Sequence, residues 1–275
     1  MARDHVAPRP AATVLLLRDG ADGLEVFMQV RHDAIDFASG ALVFPGGRVD
    51  TGDQEIAERP ELCPGPEGLD ATAMALRVAA VRETFEECGI LLARPRGSDA
   101  LISAGRSREI EASQRAELCR GELRFADILD TEALVLATDL LVPFAHWITP
   151  VGQAKRYDTH FFLAGAPADQ VGAHDGLEAV DSVWLTPARA CAGVESGDYK
   201  MVFPTHMNLM KLGRRATLDA AMDTARAAKV VTVQPVLVKS DNGLRQLRIP
   251  LEAEYGGELF TVNLPSAMPT RDVAE

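Results

Sequence analysis

Residues Arg82-Glu83-Thr84-Phe85-Glu86-Glu87-Cys88-Gly89-Ile90 constrain this chain more than any other stretch. Their carboxylates fall at i, i+3 and i+4, so a helix of 3.6 residues per turn projects all three from one side. Upstream, Phe44-Pro45-Gly46-Gly47-Arg48-Val49-Asp50-Thr51-Gly52-Asp53 reads as the end of a hydrophobic strand, a glycine turn and two more acids. Clustered carboxylates repel one another, and a fold keeps them together only around positive charge. A hard divalent cation is the simplest source of it.

The helix bearing these acids is expected from about Ala71 to Cys88, with Asp70 as N-cap and Gly89 just past its end. Met74, Val78, Val81, Phe85 and Cys88 form an apolar stripe. Glu83, Glu86 and Glu87 lie roughly opposite, above small or apolar residues (Leu76, Ala79, Ala80) one turn earlier. An ordinary surface helix would carry mixed charges and long side chains there. An isolated ExxEE is usually a solvated face; Arg82, Gly89 and the upstream glycine turn move the reading to a site.

A net charge of −12 argues against nucleic acid or an anionic membrane as the main partner. It leaves room for a small phosphate ligand, because a bound metal reverses the local field. Cys63, Cys88, Cys119 and Cys191 form no CxxC pair and no His pattern accompanies them, so zinc is not expected and free thiols are. His32, His160, His174 and His206 show no ligand spacing and read as incidental. The first residues lack a signal peptide's apolar stretch, and no apolar run is long enough to span a bilayer. A cytoplasmic protein is the expectation.

Along the chain, residues 11–18 and 24–30 read as a hairpin with a long loop, and 41–44 as a short strand stopped by Pro45-Gly46-Gly47. Residues 54–69, with three prolines, two glycines and four glutamates, read as a loop rather than a helix. Residues 107–119, 125–137, 205–211 and 217–229 look helical, with Thr217 a cap. Residues 154–163 and 180–185 read as strands, and 230–238 and 244–249 as late strands around a Ser240-Asp241-Asn242-Gly243 turn. The mixture is α+β or α/β.

The pattern Gly47-x5-Asp53 … Arg82-Glu83-x2-Glu86-Glu87-x-Gly89-Ile90 resembles the Nudix hydrolase signature, G-x5-E-x7-R-E-U-x-E-E-x-G-U with U aliphatic. Asp53 stands where that family has Glu, and Thr84 where it has an aliphatic residue. The spacer from Asp53 to Arg82 holds 28 residues instead of seven. A surface loop absorbs such an insertion cheaply, since closure entropy grows only with the logarithm of length. The interrupted motif resembles the coenzyme A diphosphatase branch. So do Arg31, Phe37-Ala38-Ser39-Gly40-Ala41, Leu91-Leu92-Ala93-Arg94-Pro95, Trp147-Ile148-Thr149-Pro150, Arg156-Tyr157-Asp158-Thr159-x-Phe161-Phe162 and Trp184-Leu185-Thr186-Pro187. The larger members of that branch are peroxisomal, but the final residues Asp272-Val273-Ala274-Glu275 are not a Ser-Lys-Leu import signal.

The resemblance implies an α/β class fold, a Nudix-type α/β/α sandwich with a mixed sheet, helical insertions and a C-terminal extension. A catalytic domain would span 8–200, with a loop insertion near 54–70 and a helical insertion near 97–140. A helical and strand extension at 201–275 would pack on it. The implied activity is hydrolysis of a nucleoside diphosphate-linked substrate, with coenzyme A or acyl-CoA favoured. Glu83, Glu86 and Glu87, with the Gly47 carbonyl a further candidate, would hold Mg²⁺ or Mn²⁺. Arg82 would orient one of the acids, and Glu86 is one turn away. Glu87 or Glu86 would activate the water, with Glu178 the next choice. Arg31, Lys155 and Arg156 are candidates for the substrate phosphates, although each also reads as an ordinary strand-edge charge. The partner would be a small nucleotide-type molecule, not nucleic acid or membrane. A homodimer is common in that family, though no patch for one is legible here. The competing readings are a hydrolase of NADH, ADP-ribose or a diadenosine polyphosphate, and a non-catalytic Nudix-fold nucleotide sensor.

Overall fold

The structure is a computed structural model and describes residues 6–31, 40–66, 68–167, 170, 179–241 and 244–263; the side chains at 31, 179–181, 241 and 263 are not described. β1 (Arg9–Gly20) and β2 (Gly23–Arg31) form an antiparallel hairpin paired as far as Gly20 opposite Gly23. The turn is therefore only Ala21-Asp22, not the expected long loop. Gly23, at φ +109°, supplies the backbone that a side chain resists.

β3 (Leu42–Val43) pairs with β2, and β4 (Gly46–Arg48) pairs with β1. The expected stop at Pro45-Gly46-Gly47 is thus a crossover. The chain leaves β2 and lays its glycines against the first half of β1, Gly46 opposite Thr13 and Gly47 opposite Ala12.

Next comes α1 (Thr51–Ala57), which corrects the reading of 54–69 as loop throughout. The Asp50 carboxylate accepts from the Asp53 N–H and the Asp53 carboxylate from the Asp50 N–H, a reciprocal cap that satisfies two orphan donors. Every proline and glycine that argued for a loop lies beyond this helix, from Pro60 onward. α2 (Ala71–Cys88) runs as expected, with Asp70 accepting from the Ala73 N–H and Gly89 closing the helix at φ +70°. Its burial, however, extends nearly all round. Leu76, Ala79 and Ala80 on the acidic side are as enclosed as Val78, Val81 and Phe85.

β5 (Ala93–Pro95) pairs with the later β6 (Leu134–Leu136). Between them lie α3 (Ala104–Ile110), a π turn (Glu111–Arg115), α4 (Ala116–Cys119) and α5 (Phe125–Thr131). The stretch 125–137 is therefore not one helix: Ala133 takes φ +52°, and the apolar Leu134-Val135-Leu136 pairs as a strand instead. β7 (Val142–Ile148), β8 (Tyr157–Gly165), β9 (Ala179–Leu185), α6 (Pro187–Ser196), α7 (Phe203–Leu212), α8 (Leu218–Ala227) and β10 (Thr232–Val233) follow. Thr217 caps α8 by accepting from the Ala220 N–H. β11 (Val236–Asp241), β12 (Leu244–Arg248) and β13 (Leu259–Asn263) make a separate antiparallel sheet; the expected Asn242-Gly243 turn lies outside the described residues.

Eight strands form one mixed sheet in the order β10-β7-β8-β1-β2-β3, with β4 on β1 and β9 on β2. β1 runs parallel to β8, and β7 to β10. Strand side chains alternate between faces. Ala12, Val14, Leu16, Phe27, Phe162 and Ala164 face α2 and the helical lobe. Leu15, Leu17, Val26, Met28, Phe161 and Leu163 face α6, α7 and α8. This is the α/β/α sandwich. Each fully buried Leu or Phe in these layers contributes roughly 1.5–3 kcal/mol, which holds α2 and the glycine crossover in fixed relation. Cys63, Cys88, Cys119 and Cys191 stand in no disulfide. Among the described residues no helix is long and apolar enough to cross a membrane.

Candidate active site

The crossover and the acidic end of α2 meet. A Cβ on Gly46 would stand 2.4 Å from the Ala12 carbonyl oxygen and 2.6 Å from Thr13 Cα, so only glycine permits this backbone-to-backbone approach. A Cβ on Gly47 would stand 2.3 Å from Glu83 Oε1. The missing side chain is the space that the Glu83 carboxylate occupies. The Gly46 N–H donates to Glu87 Oε2 at 2.9 Å, and Gln29 Nε2 donates to the Glu87 carbonyl at 2.8 Å. β1, β2 and β4 thus fix the end of α2 from below.

Arg82 organises the acids. Its Nε and Nη2 grip Asp53 as a fork, at 2.8 and 2.9 Å. Its Nη1 donates to Glu83 Oε1 at 3.0 Å and Glu86 Oε1 at 3.2 Å, and Nη2 also reaches the Arg48 carbonyl at 2.9 Å. The helical spacing anticipated the Glu86 contact; the stronger partner is Asp53, with no exposed surface. Asp53 therefore closes α1's cap and anchors the guanidinium that spreads the glutamates. A Glu would carry the same charge one methylene further out, and the close seating of α1 on α2 suits the shorter acid.

Among the described residues, one guanidinium faces Asp53, Glu83 and Glu86, with Asp50 3.7 Å away, so these acids outnumber the cation that holds them. Burial pushes the Glu83 carboxyl up to about 7, against the pull of Arg82 and with Glu86 adding to the rise. Glu86 is raised for the same first reason. Burial likewise raises Asp53, and the Arg82 fork pulls it back. An acid whose folded pKa lies above its unfolded one keeps its proton in the folded state after the unfolded chain has lost it. Stability then falls as pH rises from about 4.5 to about 7 and stays lower above that. Glu83→Gln should therefore stabilise the metal-free protein at pH 8 by on the order of 1–3 kcal/mol and change little at pH 5. Denaturant melts in EDTA at the two pH values measure this; an equal or less stable variant at pH 8 refutes it.

The donor set suits a hard divalent cation: carboxylate oxygens on one helix face, closed on one side by backbone. Of the other sequence candidates, Glu178 lies outside the described residues, as does the side chain of Arg31, which ends β2. Lys155 is exposed in the turn before β8. Arg156 requires correction as a phosphate ligand. It is buried, and its guanidinium donates to the Thr149 carbonyl at 3.0 Å and the Val6 carbonyl at 2.8 Å, clamping the N-terminal segment to the β7–β8 turn. Sequence reasoning also passed over Gln29 and a His146, Asp158 and His160 group. Both depend on strand register, which linear spacing does not carry.

A family model described as NUDT19 Nudix domain matches residues 67–212, more than half of the chain. The acyl-coenzyme A diphosphatase NUDT19 of Homo sapiens is 28% identical over 239 residues, covering 72% of this chain and 63% of that protein. Its Xenopus laevis counterpart is 25% identical over 232 residues, covering 71% and 61%. The chain thus spans less than two thirds of the length of these two curated relatives. The crystal structure of a NUDIX hydrolase from Alicyclobacillus acidocaldarius aligns with a TM-score of 0.66 at 30% identity, covering 79% of this chain and 96% of that one.

Proposed function

Because this chain belongs to the Nudix hydrolase family, we propose that the acidic end of α2 and the Gly46-Gly47 crossover form the centre of a metal-dependent diphosphatase, with coenzyme A or an acyl-CoA as favoured substrate. The observation that carries the reading is that Glu83 and Glu87 meet the glycine backbone while one buried Arg82 holds Glu83 and Glu86. The substrate preference rests on the NUDT19 domain match and on relatives named as acyl-coenzyme A diphosphatases.

In this reading Glu83, Glu86, Glu87 and the Gly47 carbonyl hold Mg²⁺ or Mn²⁺. When bound, the ion supplies positive charge to the diphosphate oxygens and lowers the pKa of a coordinated water. The chain's own residues do the rest. Arg82 fixes Glu83 and Glu86, and Asp53 fixes Arg82. Gly46 fixes Glu87, which with Glu86 would take the proton of the attacking water; Glu178 is the alternative base. Water attacks one phosphorus in line, the anhydride P–O bond breaks, and coenzyme A yields 3′,5′-ADP and 4′-phosphopantetheine. The enclosed end of α2 limits solvent around the developing charge, where fixed charges act most strongly.

The test is product analysis by mass spectrometry over coenzyme A, acyl-CoA, NADH, ADP-ribose and diadenosine polyphosphates, with Mg²⁺ or Mn²⁺. Cleavage of coenzyme A or acyl-CoA at the diphosphate, fastest of the panel, is expected. Faster cleavage of a dinucleotide would move the substrate assignment. Tight nucleotide binding without turnover of any compound would make the protein a sensor.

A further inference from the structure

We propose a second metal site, for a Zn²⁺-class ion, built from His146, Asp158 and His160 on the same sheet face as the acidic helix. His146 on β7 lies directly opposite His160 on β8, and Asp158 sits two residues before His160 on the same face. One nitrogen or carboxylate oxygen from each of the three lies within 4.8 Å of the other two. His146 Nε2 is in contact with Asp158 Oδ1, and His160 Nε2 is 3.7 Å from the same oxygen. All three side chains are half-buried. Among the described residues Asp158 has no Lys or Arg partner; the two imidazoles are what face it.

Three lone-pair donors converge with no fixed cation among them. Two imidazoles and one carboxylate match a borderline ion such as Zn²⁺ better than Mg²⁺. An orienting partner is also in place: the second ring nitrogen of His146 is 2.8 Å from Thr232 Oγ1 on β10, whose Thr232 pairs with His146 in register. Such a bond to the non-ligating nitrogen sets ring orientation at metal-bound histidines. The rings are stacked, with centroids 4.0 Å apart and planes 21° from parallel. A ring nitrogen donates in its own plane, so one ring must turn about Cβ–Cγ to share an ion. His160, whose ring makes no hydrogen bond among the described residues, is the one that can turn without breaking such a bond.

The position links this group to the carboxylates. His146, His160, Ala12 and Gly47 form one cross-strand row, and Gly47 backs onto Glu83. Two strand steps separate His160 from Gly47, about 10 Å. The small side chain of Ala12 lies between them. Three protein ligands leave an open position on the ion for water or an anionic oxygen. The proposal stands on its own geometry and does not require the diphosphatase reading.

The test uses the full chain, stripped with chelator and kept in excess Mg²⁺ so that hard sites are filled. Co²⁺ and then Zn²⁺ are titrated, with the visible d–d spectrum of Co²⁺ and the bound-metal ratio as readouts. One ion per chain is expected, with a nitrogen-ligated Co²⁺ spectrum that Zn²⁺ erases. His146→Asn and Asp158→Asn should each weaken binding by at least about 10-fold, and Thr232→Val by about the same through loss of the orienting bond. Glu86→Gln should leave the signal unchanged. If His146→Asn does not fold, Asp158→Asn decides. No Zn²⁺ uptake by the wild type in Mg²⁺, or equal uptake by the His146 and Asp158 variants, overturns the site.

Discussion

Glu86→Gln and Glu87→Gln should each lower turnover by at least about 10²-fold, close to 2.7 kcal/mol of transition-state stabilisation. The substitutions keep shape and acceptor capacity and remove only charge. At 87 a Gln oxygen can still accept from the Gly46 N–H, and at 86 it can still accept from Arg82 Nη1. Relief of crowding among the acids should leave melting temperature unchanged or raised, so lost activity will not reflect lost fold. Steady-state kinetics at saturating Mg²⁺, with thermal melts of the same preparations, check both halves. If charge at these positions holds the metal, the variants should need more Mg²⁺ than the wild type to reach their half-maximal rate. Near-wild-type turnover in both variants would refute the ligand assignment and turn attention to Glu178.

The acids were legible because helical spacing is a local code. Glu83, Glu86 and Glu87 fall on one side of α2 by arithmetic alone, and Asp70 and Gly89 mark the ends of that helix by their capping chemistry. Even there, the sequence understated burial. An apolar stripe opposite the acids is visible, but that Leu76, Ala79 and Ala80 are also enclosed depends on what packs above them. α1 is not legible in the average composition of 54–69. The Asp50 and Asp53 reciprocal cap occupies four residues, and the helix is finished before the first proline. The break after α5 was missed for a related reason: Leu134-Val135-Leu136 has no strand partner until Ala93-Arg94-Pro95 is known to lie beside it.

What belonged to register stayed hidden. Gln29 reaches the Glu87 carbonyl from a strand 58 residues away. His146 and His160 face one another only because β7 and β8 pair with an irregularity between Pro143 and Ala145. A spacing search along the chain finds neither. Arg156 shows the converse error: a cation bordering a site by sequence was consumed by two carbonyl oxygens once the chain folded.

Arg82→Met should be the most destabilising single change at the site, by about 3–5 kcal/mol, because it strands a buried carboxylate. Asp53 has no exposed surface and takes both arms of the guanidinium fork; without them it keeps the Asp50 N–H as its partner in this group. The loss is a large share of the roughly 5–15 kcal/mol that holds a typical domain together, so a melting drop on the order of 10 °C is expected. The penalty should depend on pH. With Arg82 gone, burial raises the Asp53 carboxyl against the Asp50 N–H alone, so the penalty should shrink as pH falls and be largest at alkaline pH. Arg82→Lys should fall between wild type and Met, since a single ammonium cannot supply the fork together with the contacts to Glu83, Glu86 and the Arg48 carbonyl. The deciding measurement is the double variant Arg82→Met with Asp53→Asn. If the cost is the uncompensated charge, the pair will be less destabilised than the sum of the singles, by 1 kcal/mol or more on the usual scale of coupling between touching groups. Strict additivity, or a single-variant loss below about 1 kcal/mol, would mean that Arg82 merely decorates the helix. The glutamates would then owe their positions to the glycine crossover alone.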